Sequence, residues 1–494
     1  MKKVVVIGGG IAGLSAGIYT QKCGFSVTVV ERNDIAGGIC TSWKRNGYLF
    51  EGGMHWLAGS SPKSAVNKAW RYVGALDDSV TIRFPEPFLE YSHNGTPIRL
   101  YRNVETTERE LLRLAPEDAK EIKEFCSNIR KIKNLDAPLI DIRGVKVTKK
   151  NPPPLSIMLS GISAMRLIMS LAGTTRDQYI SRFSNKGLRE LIRSITADDM
   201  GIAPFFFSFG SLNSGDGGFP EGGSLPFVNR MVKKFTGLGG KLLLNTSADK
   251  VIVERNKAVG VQVGDKRLVA DAVIVTSDTM LVDRLFDIPL KSKWLDEMQA
   301  NTSPSMAVFV CLGIDADLRK YPVNGMYKLN RPIQLAAETY EYIGAGNYAN
   351  DPNYSPAGKT AMTMQFPGDT YDYWKKLKKE EGRYDQEKQR FGKEVVAALT
   401  ERIPEMEGKV EVCDIATPLT YERYCANWKG SWMTKITKEM KVNSYPSVID
   451  GLNGVYFAGH RMTPPGGMPV ALISGRTAVQ YLCRDTGAVF VSEE

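Results

Sequence analysis

Several patterns that mark particular classes of protein are missing or scarce in this chain of 494 residues. The seven cysteines are scattered and include no CxxC pair, which argues against a disulfide framework, a zinc site and a redox-active disulfide. Only three histidines occur. There is no arginine-rich tract with interleaved aromatic residues, so nucleic acid is not expected as a partner. Scattered cysteines without a disulfide framework fit a protein of the reducing cytoplasm best.

The chain also lacks a clear targeting segment. Met1-Lys2-Lys3 followed by an apolar run is similar to the start of a signal peptide. However, Gly8-Gly9-Gly10 interrupts the run, and no small-residue cleavage site follows. These residues are therefore predicted to form the first strand of the mature fold. Internal repeats and low-complexity linkers are absent as well.

One long apolar segment, residues 155–172, occurs in a chain whose formal net charge is +10. Arg166 and the marginal length argue against a membrane-spanning helix. Two interpretations stay open, because periodicity does not separate them: a helix that dips into an anionic membrane surface, and a buried helix of the domain. Four serines give the segment a thin polar stripe at roughly helical spacing: Ser156, Ser160, Ser163 and Ser170. Seven basic residues precede it: Arg130, Lys131, Lys133, Arg143, Lys146, Lys149 and Lys150.

The most informative pattern is a glycine-rich turn between two β-branched runs. The runs cover residues 4–7 and 27–30, and the turn Gly8-Gly9-Gly10-Ile11-Ala12-Gly13 has GxGxxG spacing. The second run ends on Glu31. A strand, a glycine turn, a helix, a strand and an acid in this order predict a βαβ unit that binds a dinucleotide.

Each glycine of this turn has its own expected role. Gly8 allows the tight turn, Gly10 lets the backbone approach a pyrophosphate, and Gly13 lets the helix pack closely on the strand. The helix is predicted to begin near Ile11, so that its positive end faces the phosphate charge. Glu31 is placed to accept hydrogen bonds from the ribose hydroxyls. It would also repel a 2′-phosphate, which disfavours NADP at this site.

Segments typical of nucleotide binding recur at the start, in the middle and at the end of the chain. A helix is predicted over residues 225–236, and four strands of one sheet over residues 241–244, 251–253, 258–263 and 272–276. Further predicted elements are a strand at 306–313, helix at 375–401, a strand at 455–460 and a helix over about 470–484. A discontinuous nucleotide-binding domain is expected to comprise residues 1–75, 217–300 and 440–494. A second unit, rich in helices before residue 216, is expected over residues 76–216 and 301–439.

Together these segments resemble the flavin-dependent amine oxidase-like superfamily, and within it the phytoene desaturases, carotenoid isomerases and retinol saturases. The resemblance covers the chain end to end. It is most specific at residues 8–31, 37–55, 219–224 leading into Val251, and 459–475. It implies an α/β fold, with a Rossmann-like FAD-binding domain of the glutathione reductase type and an inserted α+β substrate domain that has possible membrane-facing helices.

The resemblance also implies FAD as the cofactor and assigns residues to it. Glu31 corresponds to the ribose-binding acid, and the backbone of Val251 to the group that meets the adenine. The last four residues of the following list form a C-terminal motif in which helix amides face the flavin pyrimidine oxygen and stabilise reduced flavin. The residues expected to bind the cofactor are Gly8, Gly10, Ile11, Ala12, Gly13, Glu31, Arg32, Gly37, Gly38, Gly52, Gly53, Met54, Val251, Gly459, Gly467, Met468 and Pro469.

Three positions depart from the family pattern. Glu51 stands where the family usually has Asp, Gly53-Met54 where it has Gly-Pro, and Pro465 where it has a glycine. These residues keep the flavin site and separate the chain from the well-studied carotenoid enzymes.

Two of the three histidines fall inside the flavin motifs. His55 is a candidate for passing the proton that accompanies hydride transfer at a C–C bond, or it hydrogen-bonds the flavin or the backbone. For His460 the hydrogen-bonding role is favoured. Arg461 either balances charge on the flavin or pyrophosphate, or lies at the surface. Asp198-Asp199 is an acid/base candidate, although a feature of a helix end is favoured.

Aromatic residues are plentiful and have two possible uses. They could line an apolar tunnel for a polyene or acyl chain, but an ordinary core is favoured. The residues concerned are Phe205, Phe206, Phe207, Phe209, Tyr421, Tyr424, Trp428 and Trp432.

The expected function is hydride transfer between FAD and a C–C or C=C bond of an apolar, isoprenoid- or lipid-like small molecule. The direction stays open between desaturase, saturase and isomerase, and the oligomeric state is not predicted. No second GxGxxG turn follows a strand, so no separate nicotinamide domain is expected. One alternative is an amine oxidase-like C–N oxidase. Another is a non-catalytic prenyl-chain-binding escort protein, against which the intact Glu31, Gly38 and residues 459–469 argue.

Overall fold

A computed structural model describes residues 1–93, 95–132, 139–149, 155–171, 173–196, 202–435 and 444–493. The candidate acid pair Asp198-Asp199 lies outside the described residues, as do Lys133 and Lys150 of the basic run.

The strands of the described residues are numbered here in chain order. They are β1 (Lys3–Ile7), β2 (Ser26–Val30), β3 (Ser42–Arg45), β4 (Tyr48–Glu51), β5 (Ile82–Arg83), β6 (Leu89–His93), β7 (Thr96–Leu100), β8 (Lys146–Val147), β9 (Phe219–Pro220), β10 (Lys241–Leu243), β11 (Lys250–Glu254), β12 (Lys257–Val263), β13 (Lys266–Val269), β14 (Ala272–Val275), β15 (Ser303–Ser305), β16 (Ala307–Ile314), β17 (Asn324–Leu335), β18 (Glu338–Asn347), β19 (Thr360–Pro367), β20 (Val410–Ala416), β21 (Met433–Lys435), β22 (Val455–Phe457) and β23 (Val489–Phe490).

The α-helices are numbered in the same way. They are α1 (Ile11–Lys22), α2 (Ala65–Tyr72), α3 (Val104–Leu114), α4 (Ala119–Ile132), α5 (Leu155–Leu171), α6 (Arg176–Ile180), α7 (Lys186–Ser194), α8 (Ala203–Asn213), α9 (Ser224–Gly237), α10 (Lys293–Asn301), α11 (Tyr371–Leu377), α12 (Arg383–Thr400), α13 (Pro418–Cys425) and α14 (Met468–Thr486). Short 3-10 helices cover Pro116–Asp118, Thr279–Leu285, Pro404–Met406, Trp428–Gly430 and His460–Met462.

A five-stranded parallel sheet, in the order β10-β2-β1-β14-β22, joins the start, middle and end of the chain. Its central strands are buried on both faces, as their unbroken apolar runs require. Helices α1, α9 and α14 pack in the same hydrophobic core. The predicted β1-α1-β2 unit is confirmed, and α1 begins at Ile11 as expected.

The prediction of one sheet over residues 241–276 is wrong. Only β10 and β14 join the parallel sheet, whereas β11, β12 and β13 form a separate antiparallel sheet. The reason is the shortness of the connections. Arg255 and Asn256 turn with positive φ angles of 49° and 61°, and such two-residue turns produce antiparallel hairpins. The predicted strand 455–460 also ends early, at Phe457, because a 3-10 helix starts at His460.

A seven-stranded sheet in the order β20-β16-β19-β18-β17-β6-β7 lies in the other half of the molecule. Its pairings are antiparallel except between β17 and β6. Strands β6 and β7 come from the first half of the chain and the others from residues 307–416. Helices α11 and α12 cover one face, where Trp374, Phe391 and Leu399 are buried.

A helical layer formed by α3, α4, α5 and α8 packs beside this sheet. Phe205, Phe206 and Phe209 of α8 are buried in its core, whereas Phe207 is 51% exposed. The eight aromatic residues singled out in the sequence therefore differ in burial. Phe205, Phe206, Phe209 and Tyr421 are buried, as the favoured core interpretation expects, whereas Phe207 and Tyr424 are exposed and contradict it.

Helix α5 covers nearly all of the apolar segment singled out in the sequence. Its inner face is buried against α4 through Ala164 and Leu167, while Ile162 and Met169 on its outer face are 52% and 70% exposed. The helix thus has one buried and one exposed face. Among the residues described, no helix has the length and apolar character needed to span a membrane.

Candidate functional site

A cavity of about 710 Å³ lies at the carboxyl ends of the parallel strands. The residues that follow β1, β2, β14 and β22 all contribute to its lining, as expected of a ligand site in an open α/β sheet. The second half of the molecule contributes Gln365 and residues 425–427, 432 and 433.

Most residues predicted to bind the cofactor line this single cavity together with His55. Four do not: Gly13, Gly52, Met54 and Val251. Those that do are Gly8, Gly10, Ile11, Ala12, Glu31, Arg32, Gly37, Gly38, Gly53, Gly459, Gly467, Met468 and Pro469.

Gly13 lies behind the cavity, where α1 crosses the glycine turn. A Cβ atom at this position would come within 1.9 Å of the Gly8 carbonyl oxygen. Gly8 itself has φ +103°, and a Cβ there would approach Thr276 Oγ1 at 2.8 Å. Both glycines therefore allow the close approach of helix and strand that brings the N-terminus of α1 to the cavity.

The Glu31 carboxylate is buried at the end of β2 and already holds the glycine turn. Its Oε2 accepts a hydrogen bond of 2.7 Å from the Gly9 N–H, and its Oε1 accepts from the backbone and side-chain nitrogens of Asn33, both at 2.9 Å. Arg32 beside it is exposed and donates to the Arg423 carbonyl. Oε2 keeps acceptor capacity for a ligand in the cavity.

Glu51 explains how Met54 is held although it does not line the cavity. Its fully buried carboxylate accepts from the N–H groups of Gly53 and Met54 at 2.9 and 3.0 Å. It also accepts from the Ser224 N–H at the start of α9, at 2.9 Å. Burial raises the pKa of Glu51, although these hydrogen bonds oppose the shift. This carboxylate fastens the loop that carries His55 to the N-terminus of a helix.

The structure does not bring Val251 to the cavity. Its side chain is buried in the core, and the residue pairs with Val261 in the β11-β12 hairpin. The segment reaches the cavity earlier, at residues 246–248.

His55 follows the loop held by Glu51, and its ring is stacked with Phe309, with centroids 5.9 Å apart. Its Nε2 lies 2.6 Å from Nε2 of Gln365, a residue of β19. Burial lowers the pKa of His55 to about 4, so the ring is neutral at pH 7. No motif in the sequence pointed to Gln365.

The C-terminal motif closes the cavity opposite the glycine turn. Gly467, with φ +95°, precedes α14, whose first residues line the cavity. The Ser474 hydroxyl contacts both the N–H and the carbonyl of Gly459, at 2.9 and 3.1 Å. Unpaired N–H groups at a helix start stabilise negative charge, as expected for this motif.

Arg461 does not lie at the surface of the protein but lines the cavity, where it is paired with an acid. It is 1% exposed and binds Asp278 through two hydrogen bonds, Nε to Oδ1 at 2.8 Å and Nη2 to Oδ2 at 2.9 Å. Burial alone would raise the pKa of Asp278, but the Arg461 guanidinium lowers it to about 2. Asp278 was missed because nothing in its local sequence indicates a buried ion pair.

The ion pair of Asp278 and Arg461 also holds the segment 428–434 beside the cavity by hydrogen bonds. Asp278 accepts from the Trp428 N–H at 2.9 Å, and Arg461 donates to the Met433 carbonyl at 3.2 Å and to Ser431 Oγ at 2.6 Å. Trp432 and Met433 of this segment line the cavity.

A family model described as "Flavin containing amine oxidoreductase" matches residues 11–483. The chain belongs to this family. It is therefore a flavin-dependent oxidoreductase, and its cofactor is FAD. The expected cofactor and reaction class are confirmed.

Curated relatives agree with the more specific resemblance found in the sequence. All-trans-retinol 13,14-reductase of Danio rerio is 24% identical, over 86% of this chain and 76% of its own length. Prolycopene isomerase 2 of an Oncidium hybrid cultivar, a chloroplastic protein, is 22% identical over 98% of this chain and 84% of its own. Phytoene desaturase (lycopene-forming) of Pseudescherichia vulneris is 27% identical over 57% of this chain and 56% of its own.

Solved structures confirm the fold. An oxidoreductase from Methanosarcina mazei superposes with a TM-score of 0.62 at 20% identity, covering 96% of this chain and 98% of that one. Putrescine oxidase bound to putrescine superposes with a TM-score of 0.61 at 17% identity, covering 98% and 99%. At these identities the likeness concerns the fold alone.

The residues that line the cavity are suited to binding FAD. Three buried polar atoms without a hydrogen-bond partner belong to residues that line it: Ser277 Oγ, Trp432 Nε1 and His460 Nε2. Buried polar atoms are normally paired, so these three indicate a polar ligand. Burial lowers the pKa of His460 to about 4, which leaves its ring neutral and able to exchange a hydrogen bond, in keeping with the role favoured from the sequence.

Proposed function

We propose that this flavoenzyme transfers hydride between FAD and a C–C or C=C bond of an apolar, isoprenoid- or lipid-like substrate. The observation that carries the proposal is the absence of a free carboxylate in the described cavity. The carboxylates among the described lining residues belong to Glu31 and Asp278. The Glu31 carboxylate already accepts hydrogen bonds from N–H groups, and the Asp278 carboxylate is paired with Arg461. An ammonium substrate would find no unpaired counter-ion, whereas an uncharged polyene needs none.

The relatives support the same substrate class. A retinol reductase and a prolycopene isomerase align with most of this chain, and their names indicate a retinoid and a carotenoid. A C–N oxidase is less well supported, because the likeness to putrescine oxidase is one of fold.

We propose the following roles for the cofactor-binding residues. The turn containing Gly8 and Gly10 and the N-terminus of α1 bind the pyrophosphate, and Glu31 accepts from the ribose hydroxyls. The N-terminus of α14 stabilises charge on the isoalloxazine. When bound, FAD supplies the hydride acceptor or donor. The segment 428–434 excludes water from the side that faces the second half of the molecule.

His55 is our candidate for holding the proton that accompanies the hydride. Its neutral ring lines the cavity beside Gln365, the point at which the seven-stranded sheet reaches the cavity. A neutral imidazole can donate or accept a hydrogen bond without bringing charge to an apolar substrate.

We also propose the two-domain division predicted from the sequence. The parallel sheet takes all of its strands from residues 1–75, 217–300 and 440–494, and the seven-stranded sheet takes all of its strands from residues 76–216 and 301–439. This partition of the sheets supports a cofactor domain and a substrate domain. The segment 425–433 of the second set reaches across to the cofactor cavity.

We propose that α5 rests on an anionic membrane surface, where an apolar substrate would be found. Its exposed face combines Ile162 and Met169 with Arg166, and Lys131 of α4 lies beside it. Apolar and basic side chains on one helix face suit an interfacial position. The unpaired thiols of the chain are compatible with a cytoplasmic location of this surface.

Liposome sedimentation tests the membrane proposal. Binding to vesicles with anionic lipid should fall with salt and should be strongly reduced by Ile162→Ser combined with Met169→Ser. The matched control is Val269→Ser combined with Ile288→Ser, which removes exposed apolar side chains elsewhere. Equal binding by both double variants, or no salt dependence, would contradict the proposal.

Anaerobic flavin spectroscopy tests the function. The FAD-loaded protein is reduced with dithionite and mixed with all-trans-retinol, or kept oxidised and mixed with prolycopene or putrescine. We expect all-trans-retinol to reoxidise the reduced flavin, whereas isomerisation of prolycopene is redox-neutral and is detected by chromatography. Flavin reduction by putrescine alone would overturn the proposal and favour the C–N oxidase.

A further inference from the structure

The contact between His55 and Gln365 joins the two halves of the molecule inside the cofactor cavity. Gln365 is the one residue of the seven-stranded sheet, as described, that lines the cavity. It is also the register partner of Phe309, the residue on which the His55 ring is stacked. Neighbouring strands β16 and β19 therefore hold one imidazole ring, by stacking and by a hydrogen bond of 2.6 Å.

The atoms in this contact determine the state of the ring. The amide Nε2 of Gln365 is a donor only, so the Nε2 of His55 that faces it must be the acceptor. An imidazole that accepts at Nε2 is neutral and carries its proton on Nδ1. A cationic ring has no acceptor, and it would be left with its own N–H facing an amide N–H.

Among the described residues, no charged side chain contributes to the lowered pKa of His55. Phe309 packs against Tyr421, whose hydroxyl is occupied by the Gly52 carbonyl at 3.0 Å. The nearest carboxylate along the chain, Glu51, is engaged by backbone N–H groups and Ser224. Burial lowers the pKa of His55, and the contact with the Gln365 amide bears on which ring nitrogen holds the proton.

We infer that Gln365 is a positioning residue, which keeps His55 neutral with its proton on Nδ1. This inference deepens the proposed function and rests on it only for the catalytic use of that proton. The tautomer itself can be observed whether or not His55 takes part in the reaction.

NMR of the FAD-loaded protein labelled with ¹⁵N-histidine tests the inference directly. With only three histidines, His93→Gln and His460→Gln identify the His55 signals. The wild type should show a neutral ring protonated on Nδ1 that does not titrate between pH 5.5 and 8, as its pKa of about 4 requires. In Gln365→Leu the signals should move towards a mixture of tautomers. A wild-type ring protonated on Nε2, or an unchanged tautomer in Gln365→Leu, would overturn the inference.

Replacing the amide donor of Gln365 with a carboxylate acceptor should favour a protonated His55 ring instead of a neutral one. In Gln365→Glu the carboxylate should raise the pKa of His55 by about 2, so that a cationic ring appears near pH 6. Gln365→Asn should restore the wild-type tautomer in part, because the donor is kept at shorter reach. The matched control is Gln389→Glu on α12, an exposed position outside the cavity, which should leave the His55 signals unchanged. Absence of a titration in Gln365→Glu would contradict the inference.

The pH dependence of flavin turnover separates the two claims. If Gln365→Glu shifts the NMR titration and also the pH profile of hydride transfer, both the inference and the role of His55 are supported. If only the NMR titration shifts, the positioning role stands and the proposed proton-carrying role of His55 fails.

Discussion

Glu31 performs two tasks with one carboxylate. It binds the Gly9 N–H inside the glycine turn and also borders the cavity in which the ribose is expected. The sequence pattern located this residue because the acid follows β2 directly, at the edge where the ligand binds. The pattern did not indicate that Glu31 also stabilises the turn, since that contact depends on the folded path of residues 8–13.

Replacement of Glu31 should therefore weaken FAD binding. Glu31→Ala removes the ribose acceptor and leaves the buried Gly9 N–H unpaired, so we expect the Kd for FAD to rise by about 10- to 100-fold. Glu31→Gln keeps one acceptor and should fall in between. Fluorescence titration of the flavin-free protein measures the effect, with Glu381→Ala at an exposed position as the control. An unchanged Kd in Glu31→Ala would argue against the ribose assignment.

Gly13 provides a second test at a single position. In Gly13→Ala the new Cβ would meet the Gly8 carbonyl oxygen at 1.9 Å, which forces α1 away from the turn. We expect a loss of FAD from the purified protein and a loss of stability of about 1–3 kcal/mol. Gly161→Ala in α5 is the matched control, because no described atom outside its own helix backbone and chain neighbours lies within 4 Å of a Cβ built there. Equal flavin content in the two variants would contradict this account.

At the scale of secondary-structure elements, the position of the segment 428–434 depends on residues distant in the sequence. It is fastened by Asp278, which follows β14, and by Arg461, which follows β22. The aromatic residues of this region were noticed in the sequence, but their role was not. A segment of loops and 3-10 turns has no periodicity from which its position could be inferred.

Breaking the buried pair should destabilise the protein more than removing both partners. Asp278→Asn or Arg461→Met alone leaves a buried charge uncompensated, at a cost of about 3–5 kcal/mol, while the double variant should lose less. Urea unfolding monitored by flavin fluorescence and circular dichroism measures this, with Asp317→Asn in an exposed ion pair as the control. A double variant as unstable as the sum of the single ones would exclude coupling.

Across the whole molecule, the parallel sheet collects strands from both ends and the middle of the chain, and the cavity forms where they end. Two neutral histidines in this cavity make global stability depend on pH. His55 and His460 have pKa values of about 4 when folded, against about 6.5 in an unfolded chain. Between these values the unfolded state binds more protons, so the free energy of unfolding increases with pH.

This effect should be visible in the difference between variants. From pH 4 to 6.5 each histidine contributes a slope of about 1.4 kcal/mol per pH unit, and the contribution is constant above that range. Urea unfolding of the wild type and of His460→Gln across this range should give curves that converge as the pH falls. Subtraction removes the contribution of groups common to both proteins, such as Glu51. Parallel curves would show that His460 is not held neutral in the folded protein.

The short-range pattern predicted a dinucleotide site and the β1-α1-β2 unit, because strand, glycine turn, helix and acid are adjacent in the chain and their geometry is local. FAD itself was expected from the family resemblance, which covers the whole chain and located thirteen of the residues that line the cavity. Val251 is not among the residues that line the cavity, and its contact with the adenine stays a prediction. The contacts of Asp278 with Arg461 and of His55 with Gln365 were decided by the tertiary structure alone. Their partners are 183 and 310 residues apart. Asp278 and Arg461 follow β14 and β22, neighbouring strands of the parallel sheet, whereas His55 meets Gln365 where the seven-stranded sheet reaches the cavity. Only the folded chain brings residues so far apart in sequence within hydrogen-bond distance.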